Sequence, residues 1–96
     1  MRPSQALEQH RQAIWEIAAR HRARSIRVFG SVLHGVDTEG SDLDLLVEPG
    51  EYTTLLDIGA IQVEISELLG IEVHVLTPRA IPEKWRAQAM AEAQPI

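Results

Sequence analysis

Residues 25–48, SIRVFGSVLHGVDTEGSDLDLLVE, decide how this chain is read. Ile26 and Val28 alternate with Ser25, Arg27 and Phe29, which predicts a short strand over 25–29. It ends at Gly30-Ser31. Residues 35–41 (GVDTEGS) predict a loop, with Gly35 and Gly40 as its punctuation. Residues 42–48 (DLDLLVE) predict a second strand, stopped by Pro49-Gly50. A Gly-Ser pair between a strand and a short helix can offer backbone N–H groups to a phosphate. Gly30 lets a ligand come close to the backbone. Ser31 adds a hydroxyl donor, and a helix N-terminus behind it favours negative charge. Asp42 and Asp44 are two apart on a strand, so both side chains leave one face. Leu43 and Leu45 then point to the other face, into a core. Adjacent carboxylates repel unless a cation neutralises them, and Mg²⁺ takes carboxylate oxygens together with substrate phosphates. A phosphate cradle beside such a pair suits phosphoryl or nucleotidyl transfer.

Outward from this stretch, residues 4–22 predict one helix. Leu7, Ile14, Ile17, Ala18 and His21 recur near helical spacing, with Ser4 as N-cap. His10 and His21 read as surface or boundary residues of that helix. Thr54 and Asp57 resemble a capping box that opens a helix running through Leu69. Gly70 is its stop. Residues 71–76 (IEVHVL) predict a third strand. A last helix starts near Pro82, carries Trp85 and Met90, and ends by Pro95. Trp15 and Trp85 read as packing residues, and Tyr52 as a loop aromatic. The order is helix, strand, short helix, strand, helix, strand, helix. The fold class is α/β (α+β): a small mixed three-stranded sheet with helices packed on one side. The helix between the second and third strands calls for a parallel crossover there.

The 96 residues suit a single domain spanning 1–96. The 45% apolar and 24% charged fractions suit a soluble folded domain. The absence of cysteine excludes disulfides, thiolate catalysis and cysteine zinc sites. No apolar run is long enough to span a membrane, and the N-terminus is too polar for a signal peptide, so a cytoplasmic protein is expected. The four histidines match no zinc spacing. The net charge of −5 divides into +4 over residues 1–27 and −9 over residues 28–96. An acidic chain is a poor general ligand for nucleic acid, whose binding rests on neutralising phosphates.

The pattern Gly30-Ser31-x10-Asp42-x-Asp44, followed by Leu45-Leu46-Val47-Glu48, resembles the signature of the DNA polymerase β-like nucleotidyltransferase superfamily. The size is similar to its minimal nucleotidyltransferase branch, the MNT or MntA-type antitoxins. Residues 70–78 (GIEVHVLTP) resemble that branch's third strand and turn, and residues 92–96 (EAQPI) its tail. The resemblance implies Mg²⁺-dependent transfer of AMP from ATP to a hydroxyl of a partner protein, namely a HEPN-type toxin. It implies Asp42 and Asp44 as metal ligands and catalytic residues. It implies Gly30, Ser31 and Ser41 as the nucleotide phosphate site. Two positions depart from the branch. His74 stands where an aspartate, the third acid, is usual, and is a candidate base or metal ligand, with Glu72 on its face. His34 stands where relatives often carry arginine. The alternative is a weakened domain that neutralises its partner by binding alone. Neither the nucleotide nor a homo- or hetero-oligomeric state is legible, and a small-molecule acceptor is disfavoured because no domain is present to bind it.

Overall fold

The computed structural model describes residues 1–96. The expected first helix is two: α1 (Pro3–Gln9) and α2 (Arg11–Arg20). His10 breaks them at φ −119°, ψ 19°. No helix breaker stands there, so the sequence pattern runs through without a mark. The tie on α1 is tertiary: Asp37, buried in the distant loop, accepts the Ser4 N–H at 2.9 Å. Next come β1 (Ala23–Phe29), β2 (Leu43–Pro49), α3 (Leu55–Leu69) and β3 (Val73–Leu76). A 3₁₀ turn (Pro78–Ala80), α4 (Glu83–Glu92) and β4 (Gln94–Pro95) complete the chain. No helix is long and apolar enough to cross a membrane.

The sheet order is β3-β2-β1-β4. β1 and β2 are antiparallel, with Ile26 opposite Val47 and Phe29 opposite Asp44. β2 and β3 are parallel, with Asp44 opposite His74. The α/β class and the crossover through α3 are as expected, but the sheet has four strands rather than three. The fourth is two residues that pair antiparallel with the free edge of β1, Pro95 opposite Arg27. Two residues are too few to show an alternation. Proline, which has no N–H to donate, is tolerated on an edge.

Alternation along β2 divides its side chains between two cores. Leu43, Leu45 and Val47 join Ile26, Val28, Val73 and Val75 beneath α2 and α3, which add Ile14, Ile17, Ile61 and Ile65. Ile14, Ile26, Leu43, Leu45, Ile61 and Ile65 are fully buried. Each such side chain is worth about 1.5–3 kcal/mol of burial. On the opposite face Leu46 meets Ile81 and Ala93, with Phe29, Leu76, Ala89 and Met90 packed against them. The helices are therefore not all on one side: α4 lies across the second face. It leaves the end of that face at residues 42, 44 and 74 partly open to solvent.

The stretch after Gly30-Ser31, expected as a short helix, is a series of turns. His34 N–H bonds to Gly30 O, Gly35 N–H to Val32 O, and Val36 N–H to Ser31 O. Gly35 ends them in the left-handed region at φ +71°, a conformation that does not continue a helix.

Candidate active site

The site lies where β1 ends and β2 and β3 begin. Gly30 closes β1 at φ +75°. Its missing side chain leaves room for Asp44, whose carboxylate a methyl group at Gly30 would overlap. Burial pushes the Asp44 carboxyl above the usual range. The attraction of His74 opposes that shift, and the charge of Asp42 adds to it. A carboxylate short of water and near a second one is primed for a cation.

Asp42 turns to a different neighbour. Its Oδ2 lies 3.1 Å from His74 Nε2, and Glu72 Oε1 lies 3.7 Å from the same nitrogen. One ligand atom each from Asp42, Glu72 and His74 fall within 4.8 Å of one another. The parallel register sets this up. Leu43 N–H donates to Glu72 O at 3.0 Å, and His74 sits opposite Asp44. Adjacent strands thus present residues 42, 44, 72 and 74 on one face. Of these, His74 and Asp42 are open to solvent, at 43% and 42% exposed.

The other expected site residues are placed less directly. Ser31 sits partly exposed in the turn that follows Gly30, and its carbonyl accepts the Val36 N–H. Ser41 Oγ accepts the Thr38 N–H at 2.9 Å, so its hydroxyl serves the turn that leads into Asp42. Asp37 carries no motif, yet it is 6% exposed, and the Ser4 N–H bond holds its carboxyl below the usual range. It anchors the loop that delivers Asp42 to the site. The sequence shows only an acid in a loop between two glycines, and its burial is decided by the tertiary fold.

A cleft of about 220 Å³ opens beside Gly30, between the end of β1 and α4. His34 and Glu92 face each other across it at 3.4 Å, with Trp85 and Gln88 on its wall. Trp85, expected to pack, is 53% exposed, with Lys84 Nζ 5.1 Å from its ring centroid. Trp15 does pack, and its Nε1–H donates to Ile96 O at 2.6 Å. His21, expected as a boundary residue, bridges two helices through Asp57 and Glu64.

Comparison with known proteins identifies the family of this chain. Residues 8–94 match the nucleotidyltransferase domain family. MJ0435 of Methanocaldococcus jannaschii, named as an inferred protein adenylyltransferase, is 36% identical over 86% of this chain and 89% of its own length. Protein adenylyltransferase MntA of Thermococcus cleftensis is 36% identical over 64% of this chain and 62% of its own length. A solved structure of an inferred minimal nucleotidyltransferase superposes with a TM-score of 0.86 at 40% identity, covering 97% of this chain and 95% of that one. A toxin–antitoxin structure with AMP-PNP shares the fold at a TM-score of 0.73 and 16% identity, over 88% of this chain and 69% of that one. With Gly30 packed on Asp44, and Asp42 one strand from His74, the chain belongs to the nucleotidyltransferase domain family and resembles its minimal members throughout.

Proposed function

We propose that this protein is a metal-dependent protein adenylyltransferase, moving AMP from ATP to a hydroxyl of a HEPN-type toxin as the antitoxin of the pair. The observation that carries this reading is the seating of the Asp44 carboxylate against Gly30, with Asp42 on the same face. The names of the similar adenylyltransferases and the toxin–antitoxin fold neighbour support the acceptor and the partner. Gly30 and Ser31 would hold the nucleotide phosphates, and Ser41 would help by shaping the loop that enters the site. The donor set fits a divalent cation: two carboxylates supply the charge, and one of them is partly desolvated. Asp42 and Asp44 would hold it. Bound there, such an ion neutralises phosphate charge and steadies the leaving group.

The acceptor oxygen attacks the α-phosphorus, the bond to the β-phosphate oxygen breaks, and pyrophosphate leaves. The acceptor proton passes to the cluster of Asp42, Glu72 and His74, which stands open to solvent. The second reading, neutralisation by binding alone, is favoured by one observation: the cluster holds an imidazole where the related branch carries a third acid.

ATP labelled at the α-phosphate separates the two. The parent should label the co-expressed toxin, whereas ATP labelled at the γ-phosphate should not. Asp44→Asn removes a partly desolvated charge while keeping the shape. It should abolish labelling and raise the urea midpoint of the protein. Full labelling by Asp44→Asn would overturn the catalytic assignment. No labelling, with toxin neutralised equally by parent and Asp44→Asn, would establish the binding-only reading.

A further inference from the structure

We infer that the cleft between the end of β1 and α4 is the seat of the nucleobase, where a purine stacks on Trp85 and turns an amino edge to Glu92. This deepens the proposed function and rests on its placing of the phosphates at Gly30 and Ser31. It assigns the part of the nucleotide which that reading leaves unplaced.

Helical spacing builds one wall of the cleft. Trp85, Gln88, Ala89 and Glu92 stand at i, i+3, i+4 and i+7 within α4, so they share one side of the helix. Ala89 fastens that side to the second core. Trp85 belongs to neither core and is 53% exposed, so its large flat ring serves the cleft and not the packing. Phe29, Gly30 and His34 complete the lining. Gly30 lines the cleft and also opens the proposed phosphate seat, so a base in the one is next to phosphates in the other.

Charge decides which part of a nucleotide the cleft takes. The Glu92 carboxylate stands in it, held by Gln88 Nε2 at 3.2 Å and His34 Nε2 at 3.4 Å. That carboxylate repels a phosphate, and Phe29 and Trp85 carry no charge to offset the repulsion. The same surroundings suit a base. A base is flat and uncharged, and it stacks on an aromatic side chain. A carboxylate only accepts hydrogen bonds, so it pairs with the exocyclic amino group of adenine. A carbonyl in the same place would meet Glu92 oxygen to oxygen.

The test is calorimetry on the full-length protein at a fixed concentration of divalent cation. Three probes are compared: ATP, inosine triphosphate, which has a carbonyl where ATP has the amino group, and inorganic tripolyphosphate, which has no base. Trp85→Ala should weaken ATP about tenfold or more and leave tripolyphosphate at parental affinity. Trp85→Phe keeps an aromatic face and should restore most of the loss. The parent should prefer ATP to inosine triphosphate by about tenfold or more. Glu92→Gln should narrow that gap, because an amide donates as well as accepts. The chain has two tryptophans, and Trp15 is bonded to Ile96 O away from the cleft. ATP should therefore quench the fluorescence of the parent and not that of Trp85→Phe. Urea denaturation establishes that each variant is folded; if Trp85→Ala is not, the quenching and the ATP preference still decide. Parental ATP affinity in Trp85→Ala would overturn the inference, as would an equal loss of tripolyphosphate or equal parental affinity for ATP and inosine triphosphate. Unchanged ATP affinity with toxin labelling lost at saturating ATP would give the cleft to the acceptor side chain instead. ATP binding that depends on Trp85, with no AMP transfer, would sink the proposed function and leave this inference standing. AMP transfer with ATP affinity untouched by Trp85→Ala would do the reverse, and a parent that binds no ATP would overturn both.

Discussion

Replacing Gly30 by alanine separates a backbone effect from a site effect, because Gly70 provides an internal control. Both glycines occupy the left-handed region, at φ +75° and +67°. A side chain in that region costs about 1–2 kcal/mol. Both substitutions should therefore destabilise by that amount, and each kcal/mol lowers the melting temperature of a chain this size by about 4–8 °C. The surroundings differ. A methyl group at Gly70 meets nothing within 4 Å. At Gly30 it overlaps the Asp44 carboxylate and lies 3.3 Å from Asp44 Cγ. Asp44 has a short side chain that can swing aside, so the extra penalty should fall on ligand binding more than on stability. Urea denaturation and calorimetric titration with ATP and a divalent cation read the two quantities. Similar losses of stability are expected in both variants, with nucleotide affinity falling tenfold or more, about 1.4 kcal/mol, only in Gly30→Ala. Parental nucleotide affinity in Gly30→Ala would refute the close approach as a functional constraint. An equal loss in Gly70→Ala would show that general destabilisation is the cause.

Two further outcomes follow from other parts of the chain. Gly59 lies exposed within α3 with open space where its side chain would be, so Gly59→Ala should raise stability by about 0.5–1 kcal/mol, read from the urea midpoint; a lowered midpoint would contradict that open space. His21 bonds to Asp57 at 3.1 Å and to Glu64 at 2.5 Å, and these bonds raise its pKa above the ordinary value. A raised folded-state pKa means its stabilisation is full below about pH 6.5 and fades as pH rises through the elevated value. Asp57 is held at about 2 by the Thr54 backbone bond and then by His21, so its share fades only as pH falls from about 3.8 towards 2. Stability should hold a plateau between these limits, and His21→Gln should flatten the alkaline fall; a parent midpoint that does not change from pH 6 to 9 would disprove the bridge.

Local order along the chain is enough to determine several features. Thr54 Oγ1 accepts the Asp57 N–H and the Asp57 carboxylate accepts the Thr54 N–H, as the spacing of the two residues implies. Gly70 ends α3 in the left-handed conformation that glycine allows. The two-residue period of a strand puts Asp42 and Asp44 on one face and Leu43 and Leu45 on the other. These rules act over a few neighbouring residues, so they survive without knowledge of the rest of the fold. What the tertiary structure decided depends on partners far along the chain. The break at His10, the pairing of Gln94–Pro95 with β1, the placing of α4 on the second face and the His21 bridge carry no periodic mark. The aspartate pair itself is the clearest case. Its shared face follows from alternation, but Asp44 turns to Gly30 and Asp42 to His74 because strand register across β1, β2 and β3 sets each carboxylate against a different neighbour. Register is a property of pairing between distant segments, and no spacing within one segment specifies it.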